Sequence, residues 1–311
     1  MAPLINGLHH VTAISGSARR NAGFYTGTLG LRLVKRTVNF DDPSVYHLYY
    51  GDRVGTPGSV LTFFPWEQMG PGRRGVGETS LTHYAVPPGS LDFWWRRLDA
   101  AGVSALRRET RFGEERLTFL DPDGMALALV AAGDDEREPW TTPEVGAEVA
   151  LRGFHGVSLS LAEAGPTAEV LSTLLGYEER AREGDTLRLI APAAAHARTV
   201  DLVARPGVAR AMLGAGSVHH IAFAVADRAE QAAVRARIAA AGLGVTPSID
   251  RNYFFSIYFR EPGGVLFEVA TEEPGFAVDE PVDELGSSLK LPPQHEHLRP
   301  QLLRTLPPLG M

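Results

Sequence analysis

The segment SVHHIAFAV, residues 217–225, is one of four versions of the same opening phrase; the others are INGLHHVTAI from Ile5, SLTHYAV from Ser80 and LRGFHGVSLSL from Leu151. Each is short, alternating and rich in β-branched and aromatic residues, and so reads as a strand. A phrase repeated within one chain marks a supersecondary unit used several times. Outward from each copy the same order of elements follows. A helix comes next, most plainly after the second copy, where Leu91, Trp94, Trp95 and Leu98 fall at i, i+3, i+4 and i+7 between a capping Ser90 and a terminating Gly102. The fourth helix starts at Asp227, with Glu230 as capping-box partner, and stops at Gly242; the first ends at Gly30 and the third at Gly176. Short strand-like runs then close each unit with TPGSVLTFF, DPDGMALALV, HARTVDLVA and EPGGVLFEVA.

The unit is therefore strand, helix, three strands. Four βαβββ modules predict an α+β fold in which modules pair into two domains, each a curved, mostly antiparallel sheet with helices outside. The polar, proline-bearing GDDEREPWTTPEVGAE between Gly133 and Ala150 divides the chain into an N-terminal domain, 1–135, and a C-terminal domain, 150–270. The remainder, 271–311, contains LPPQHEHLRPQLLRTLPPL, has no copy elsewhere and is expected to pack on the domains as a tail.

Bulk composition narrows the function. At 311 residues the chain is long enough for two cores, and 44% hydrophobic with 22% charged residues is the balance of a globular protein. A net charge of -7, without a basic block, argues against a nucleic-acid partner. The lack of cysteine leaves only His, Asp and Glu to hold a metal. No apolar run has the ~20 residues of a membrane span and no signal core opens the chain, so a cytoplasmic location is expected. Self-association is left open.

The chemistry lies where the modules differ. With the opening strands in register, His10, His83, Gly156 and His220 coincide; with the closing strands in register, Phe63, Ala128, Asp201 and Glu268 coincide. Only the fourth module has both His and Glu. Glu268 sits in the apolar run GGVLFEVA, and burying an unpaired carboxylate costs several kcal/mol. A cation held jointly by Glu268, His220 and the first module's His10 would compensate it. Two imidazoles and one carboxylate leave open positions, which suits Fe(II) chemistry, with Mn(II) also accepted. Strand alternation places His9 and His219 away from the face that His10 and His220 share. The cavity of the second and third modules has one ligand of three, so a single metal site is expected.

Plainer readings compete for several residues. His83 and His155 read as hydrogen-bonded core residues, and Asp201 as a solvated strand-edge carboxylate. The histidines of His295–His297 read as surface groups. Glu268 could pair with Arg251 or Arg260 instead of a metal. Tyr253, Phe254, Phe255, Tyr258 and Phe259 are strand filling, one face of which could line an aromatic pocket.

GLHHVT, FYTGTLGLRLVKRTVNFDDPSVYHLYYGD, SVHHIAF, DRNYFFSIYFREPGGVLFEVAT and the LPP tail together resemble the vicinal oxygen chelate superfamily, and within it ring-cleaving dioxygenases related to hydroquinone 1,2-dioxygenases. The resemblance covers nearly the whole chain. It implies an Fe(II) site at His10, His220 and Glu268, extradiol-type cleavage of a hydroquinone or catechol-like aromatic diol by dioxygen, and a role in aromatic compound degradation. It also implies further site residues at His9, Thr12, His219, Arg251 and Tyr258, with His9 or His219 accepting a substrate proton and Arg251 or Tyr258 steadying an oxyanion. Two alternatives share the fold. A glyoxalase-type lyase or isomerase would need a fourth ligand where Phe63 stands, and an aromatic- or antibiotic-binding protein would not need the complete ligand set.

Overall fold

The computed structural model describes residues 5–133 and 135–310. Module 1 comprises β1 (Leu8–Ser15), α1 (Ala18–Ala22) with a π-helical continuation (Gly23–Thr28), β2 (Arg32–Val38), β3 (Tyr46–Gly51) and β4 (Val60–Pro65). Module 2 comprises β5 (Glu78–Val86), α2 (Leu91–Ala100), β6 (Ser104–Arg111), β7 (Glu114–Leu120) and β8 (Ala126–Ala131). Module 3 runs through β9 (Gly153–Leu161), α3 (Gly165–Thr173), β10 (Glu178–Glu183), β11 (Thr186–Ile190) and β12 (Thr199–Ala204). Module 4 runs through β13 (Val218–Val225), α4 (Arg228–Ala240), β14 (Ile249–Asp250), β15 (Phe254–Arg260) and β16 (Leu266–Pro274). The expected α+β fold of four βαβββ modules is present.

The helix signals behave as their chemistry dictates, with two exceptions, the first being Ser90, which precedes α2 but donates its hydroxyl to the Pro87 carbonyl instead of capping the helix. Asp227 accepts from the amides of Ala229 and Glu230, while the Glu230 side chain reaches back to the Ala226 amide. Gly30, Gly102, Gly176 and Gly242 end the four helices with φ between +67° and +78°, a region in which a Cβ is strained. On α2, Leu91, Trp94 and Leu98 are buried, but Trp95 is 38% exposed. The i+4 position at the edge of the apolar stripe faces solvent here.

Two curved, eight-stranded sheets result. The first has the order β14-β15-β16-β13-β1-β4-β3-β2 and the second β10-β11-β12-β9-β5-β8-β7-β6. In each module the opening strand is parallel to the closing strand, and the two modules of a sheet meet through antiparallel opening strands, β1 with β13 and β5 with β9. Modules 1 and 4 thus share one sheet and modules 2 and 3 the other. Each sheet draws strands from both sides of the 133–150 stretch, so the division into 1–135 and 150–270 describes the sequence and not the sheets. The tail lies along the edge strand β2, with Leu289 bridging Arg36 and the buried Lys35 amine bonded to Asp279 and Glu280 at 2.5 Å each.

Candidate metal centre

Central to the site are two one-residue bulges where β1 meets β13. Leu8 opposes Phe223 and His10 opposes Ala222, which leaves His9 without a counterpart. Thr12 opposes His220 and Ala13 opposes Val218, which leaves His219 without one. A bulge puts two residues against one and resets the alternation of side chains. The expectation that His9 and His219 point away from the metal face therefore fails. His9 and His10 both pack on the Phe254 ring at 5.0 Å, and His219 and His220 both line one cavity.

His10, His220 and Glu268 converge. His10 Nε2 lies 3.4 Å from His220 Nε2 and 3.3 Å from Glu268 Oε2, and His220 Nε2 lies 2.9 Å from the same oxygen. All three residues are buried, and among the described residues they form the one group able to offer three ligand atoms to a metal. An ion bound at ~2.1 Å to three donors at right angles needs donor-to-donor edges of roughly 3.0 Å. The observed triangle has those dimensions. Glu268 Oε2 is within ion-pair reach of both rings yet makes no hydrogen bond of ordinary geometry, while Oε1 accepts from Ser256. A wholly buried carboxylate oxygen without a donor is costly, and a cation beside it would offset that cost.

Arg251 and Arg260 do not neutralise Glu268. Arg251 donates from Nε to Tyr258 at 3.3 Å and reaches Asp41 at 3.4 Å, and Arg260 donates to the Gly264 carbonyl. Burial would raise the Glu268 pKa, but His10 and His220 hold the carboxyl well below its ordinary range. Burial also lowers the His220 pKa, so its imidazole is neutral at pH 7, as a ligand must be.

The flanking histidines orient the ligands. His9 Nε2 lies 3.1 Å from the Thr271 carbonyl, which can only accept, so this nitrogen carries the proton. His9 Nδ1 then accepts from His10 Nδ1 at 2.9 Å and leaves His10 Nε2 bare toward the site. His219 Nδ1 meets His220 Nδ1 at 2.8 Å in the same way, but the rest of the His219 ring faces the cavity. Burial, assisted by the adjacent ligand histidine, lowers the His9 pKa to about 3 and the His219 pKa to about 4.

Above the donors is a cavity of about 290 Å³ walled by Phe40, His47, Tyr49, Phe64, Trp66 and Phe254, with His10 and His220 reaching it from below. Tyr258 and Arg251 form one side. Strand parity alone separates these two, but Arg251 lies in the β14–β15 turn, which folds it back over the Tyr258 ring at 5.4 Å. Thr12, fully buried, accepts from Thr62 at 2.9 Å and does not line the cavity.

Pairing across the sheet also corrects the register of the closing strands. Glu268 lies beside Ala222, two residues past His220. The matching partner of Thr12, two past His10, is Thr62, and Ala85, two past His83, faces Val130. Thr62 and Val130, not Phe63 and Ala128, stand in the place of Glu268. Phe63 points to the opposite face, against Tyr25 and Tyr50. Asp201 keeps its assignment through Ser158, but it is buried and held by Arg188, not solvated. His83 and His155 are hydrogen-bonded, to Ser158 at 2.9 Å and to Glu114 at 3.0 Å.

A model of the Glyoxalase/Bleomycin resistance protein/Dioxygenase superfamily matches residues 7–129 and 155–269. Over 308 residues, spanning 99% of this chain and 98% of the relative, the sequence is 45% identical to the Bacillus subtilis (strain 168) "Putative ring-cleaving dioxygenase MhqO". It is 39% identical to the "Chlorohydroquinone/hydroquinone 1,2-dioxygenase" of Sphingobium indicum, across 97% of this chain and 96% of that one. The chain belongs to this superfamily, among its ring-cleaving dioxygenases. A Bacillus subtilis crystal structure of a "putative dioxygenase" superposes with a TM-score of 0.96 over 99% of both chains at 44% identity. Glyoxalase I from Zea mays shares the fold, with a TM-score of 0.63 at 15% identity over 86% of this chain and 92% of its own. No described helix is long and apolar enough to cross a membrane.

Several residues of this candidate site escape a reading of the sequence. His47, Tyr49, Thr62 and Ser256 are single residues on strands whose register only the folded sheet sets. One sequence signal was available for the bulges: each doubled histidine sits in a strand whose neighbours on both sides are apolar.

Proposed function

We propose that the chain opens the ring of a hydroquinone or catechol-like diol with dioxygen, using Fe(II) held by His10, His220 and Glu268. The observation that carries this reading is the convergence of three buried donors, one an unsatisfied carboxylate oxygen, beneath an aromatic-walled cavity. The ion, when bound, supplies open coordination positions for a substrate oxygen and dioxygen and the electron exchange that makes dioxygen reactive toward the ring.

The protein's own groups do the rest. Phe64, Trp66 and Phe254 hold the ring by its faces and exclude water, which strengthens every charge interaction within. His219, neutral and open to the cavity, uses Nδ1 to accept from His220, so its Nε2 carries the proton and donates to an oxygen of the arriving diol. His9 cannot share that role, because both its nitrogens are occupied, and it acts by positioning His10. The Arg251 guanidinium, supported by Tyr258, steadies negative charge on the diol oxygen. Thr62 in the fourth position favours this reading over a glyoxalase-type lyase, since a buried hydroxyl there replaces a second carboxylate and keeps coordination positions free.

The test is oxygen uptake. Protein loaded anaerobically with Fe(II), and in parallel with Mn(II), is offered a panel of hydroquinones and catechols. Stoichiometric oxygen consumption with loss of the aromatic absorbance is expected, and the metal giving it identifies the ion. Absence of uptake with every diol and either metal would overturn the proposal.

A further inference from the structure

The first sheet carries a pseudo-twofold relation about the β1–β13 pair, which the ladder makes explicit. Thr62 pairs with Thr12 on one side and Tyr49 on the other, as Glu268 pairs with Ala222 and Tyr258. Tyr49 is thus the counterpart of Tyr258, and His47 that of Ser256. The correspondence extends to hydrogen bonds: Ser256 donates to Glu268, and His47 Nε2 lies 2.8 Å from Thr62 Oγ1. The metal donors sit off the axis, on β1, β13 and β16, so the two tyrosines are not equivalent toward a ligand. Tyr258 is on the strand beside Glu268, whereas Tyr49 is two strands from His10, roughly 10 Å at the backbone.

The bond from Thr62 to Thr12 sets one order of protons along this chain of groups. Thr62 donates to Thr12, so its oxygen accepts from His47 Nε2. A neutral His47 then accepts at Nδ1, and Tyr49 donates to it at 2.8 Å. Burial, with Tyr258 nearby, holds the Tyr49 hydroxyl well above its ordinary pKa and keeps that proton in place. Its donor is spent, while its oxygen, in a residue lining the cavity, retains accepting capacity.

The geometry points to Tyr49 as a substrate-binding residue that accepts a hydrogen bond from the diol hydroxyl not held at the metal, with His47 and Thr62 fixing its orientation. Resting on the functional reading above, it names the group that distinguishes a diol from a simple phenol. The far hydroxyl enters a socket that can only accept, and a ring lacking it leaves the Tyr49 oxygen unpaired.

Equilibrium binding provides the test, free of turnover. Protein loaded with Zn(II) in the absence of oxygen is titrated with hydroquinone and with phenol, and binding is followed by calorimetry. The unsubstituted protein should bind hydroquinone about tenfold more tightly, the worth of one hydrogen bond. Tyr49→Phe should weaken hydroquinone about tenfold and leave phenol unchanged within about twofold. A Tyr49→Phe protein that loses both ligands equally, or neither, would overturn the assignment, as would equal binding of the two ligands by the unsubstituted protein, which needs no variant. Should hydroquinone and phenol both fail to bind, this inference falls, while the functional reading stands or falls on oxygen uptake with the wider panel.

Discussion

The two sheets are built alike and bury a carboxylate at the same place, but they resolve its charge differently. In the sheet of modules 2 and 3, Asp201 faces Arg188 across the β11–β12 ladder, with Nε to Oδ1 at 2.7 Å and Nη2 to Oδ2 at 2.9 Å. Arg188 also reaches Glu114 at 2.5 Å, Glu114 bonds His155, and the guanidinium lies 4.1 Å over the Phe112 ring. The charge is settled within the protein. In the sheet of modules 1 and 4 the residue facing Glu268 is Tyr258, which brings no positive charge, and the carboxylate is left to two imidazoles. Gly156 completes the contrast. A Cβ there would lie 2.2 Å from the Thr199 carbonyl oxygen, so no histidine can stand where His220 stands in the other sheet. One cross-strand residue and one close backbone approach separate a candidate metal centre from a structural ion pair.

Converting one arrangement into the other should have the largest effect. Tyr258→Arg places a guanidinium against Glu268 as Arg188 stands against Asp201. Metal content measured by mass spectrometry should fall to background and turnover by at least ~10³-fold, about 4 kcal/mol. Retained metal would mean that the facing residue does not decide the outcome. The reverse change, Arg188→Leu, leaves Asp201 and Glu114 without their partner. Urea unfolding should report a loss of about 3–5 kcal/mol, with metal per folded chain unaltered. A metal loss there would couple sheets that this comparison keeps separate.

Smaller effects sharpen the comparison. His9→Leu removes the acceptor that holds His10 Nδ1, and chelator competition should show a metal affinity lowered about 10–100-fold in a folded protein. His83, the counterpart of the ligand histidines in the second sheet, has its pKa pushed well below 6.5 by burial and then by Arg116. The unfolded chain therefore takes up that proton first as pH falls. The His83 contribution to stability is complete above pH 6.5 and declines below it at about 1.4 kcal/mol per pH unit. His83→Gln should lessen the fall in unfolding free energy between pH 7.5 and 5.5, followed by urea titration, by about 1.4 kcal/mol in total, and an unchanged fall would show that His83 does not titrate as described.

The modules, their boundaries and the three metal-ligand candidates were legible because they depend on composition and repetition, which survive without coordinates. Phe63 and Ala128 were misplaced by one and two residues because the register of a closing strand is set by its pairing, not by its own pattern. His9 and His219 were turned to the wrong face because alternation holds only for an unbroken ladder, and the bulges break it at those residues. Asp201 looked solvated because its partner Arg188 is thirteen residues away on a neighbouring strand, where sequence spacing carries no orientation.

Metal stoichiometry of the Glu268→Gln protein tests the central claim most directly. Gln keeps the shape of the side chain and its bond to Ser256 but removes the charge. After anaerobic loading and gel filtration, the unsubstituted protein should carry one divalent ion per chain and Glu268→Gln less than about a tenth of that, with unchanged far-ultraviolet circular dichroism. A full ion per chain in Glu268→Gln would contradict the account.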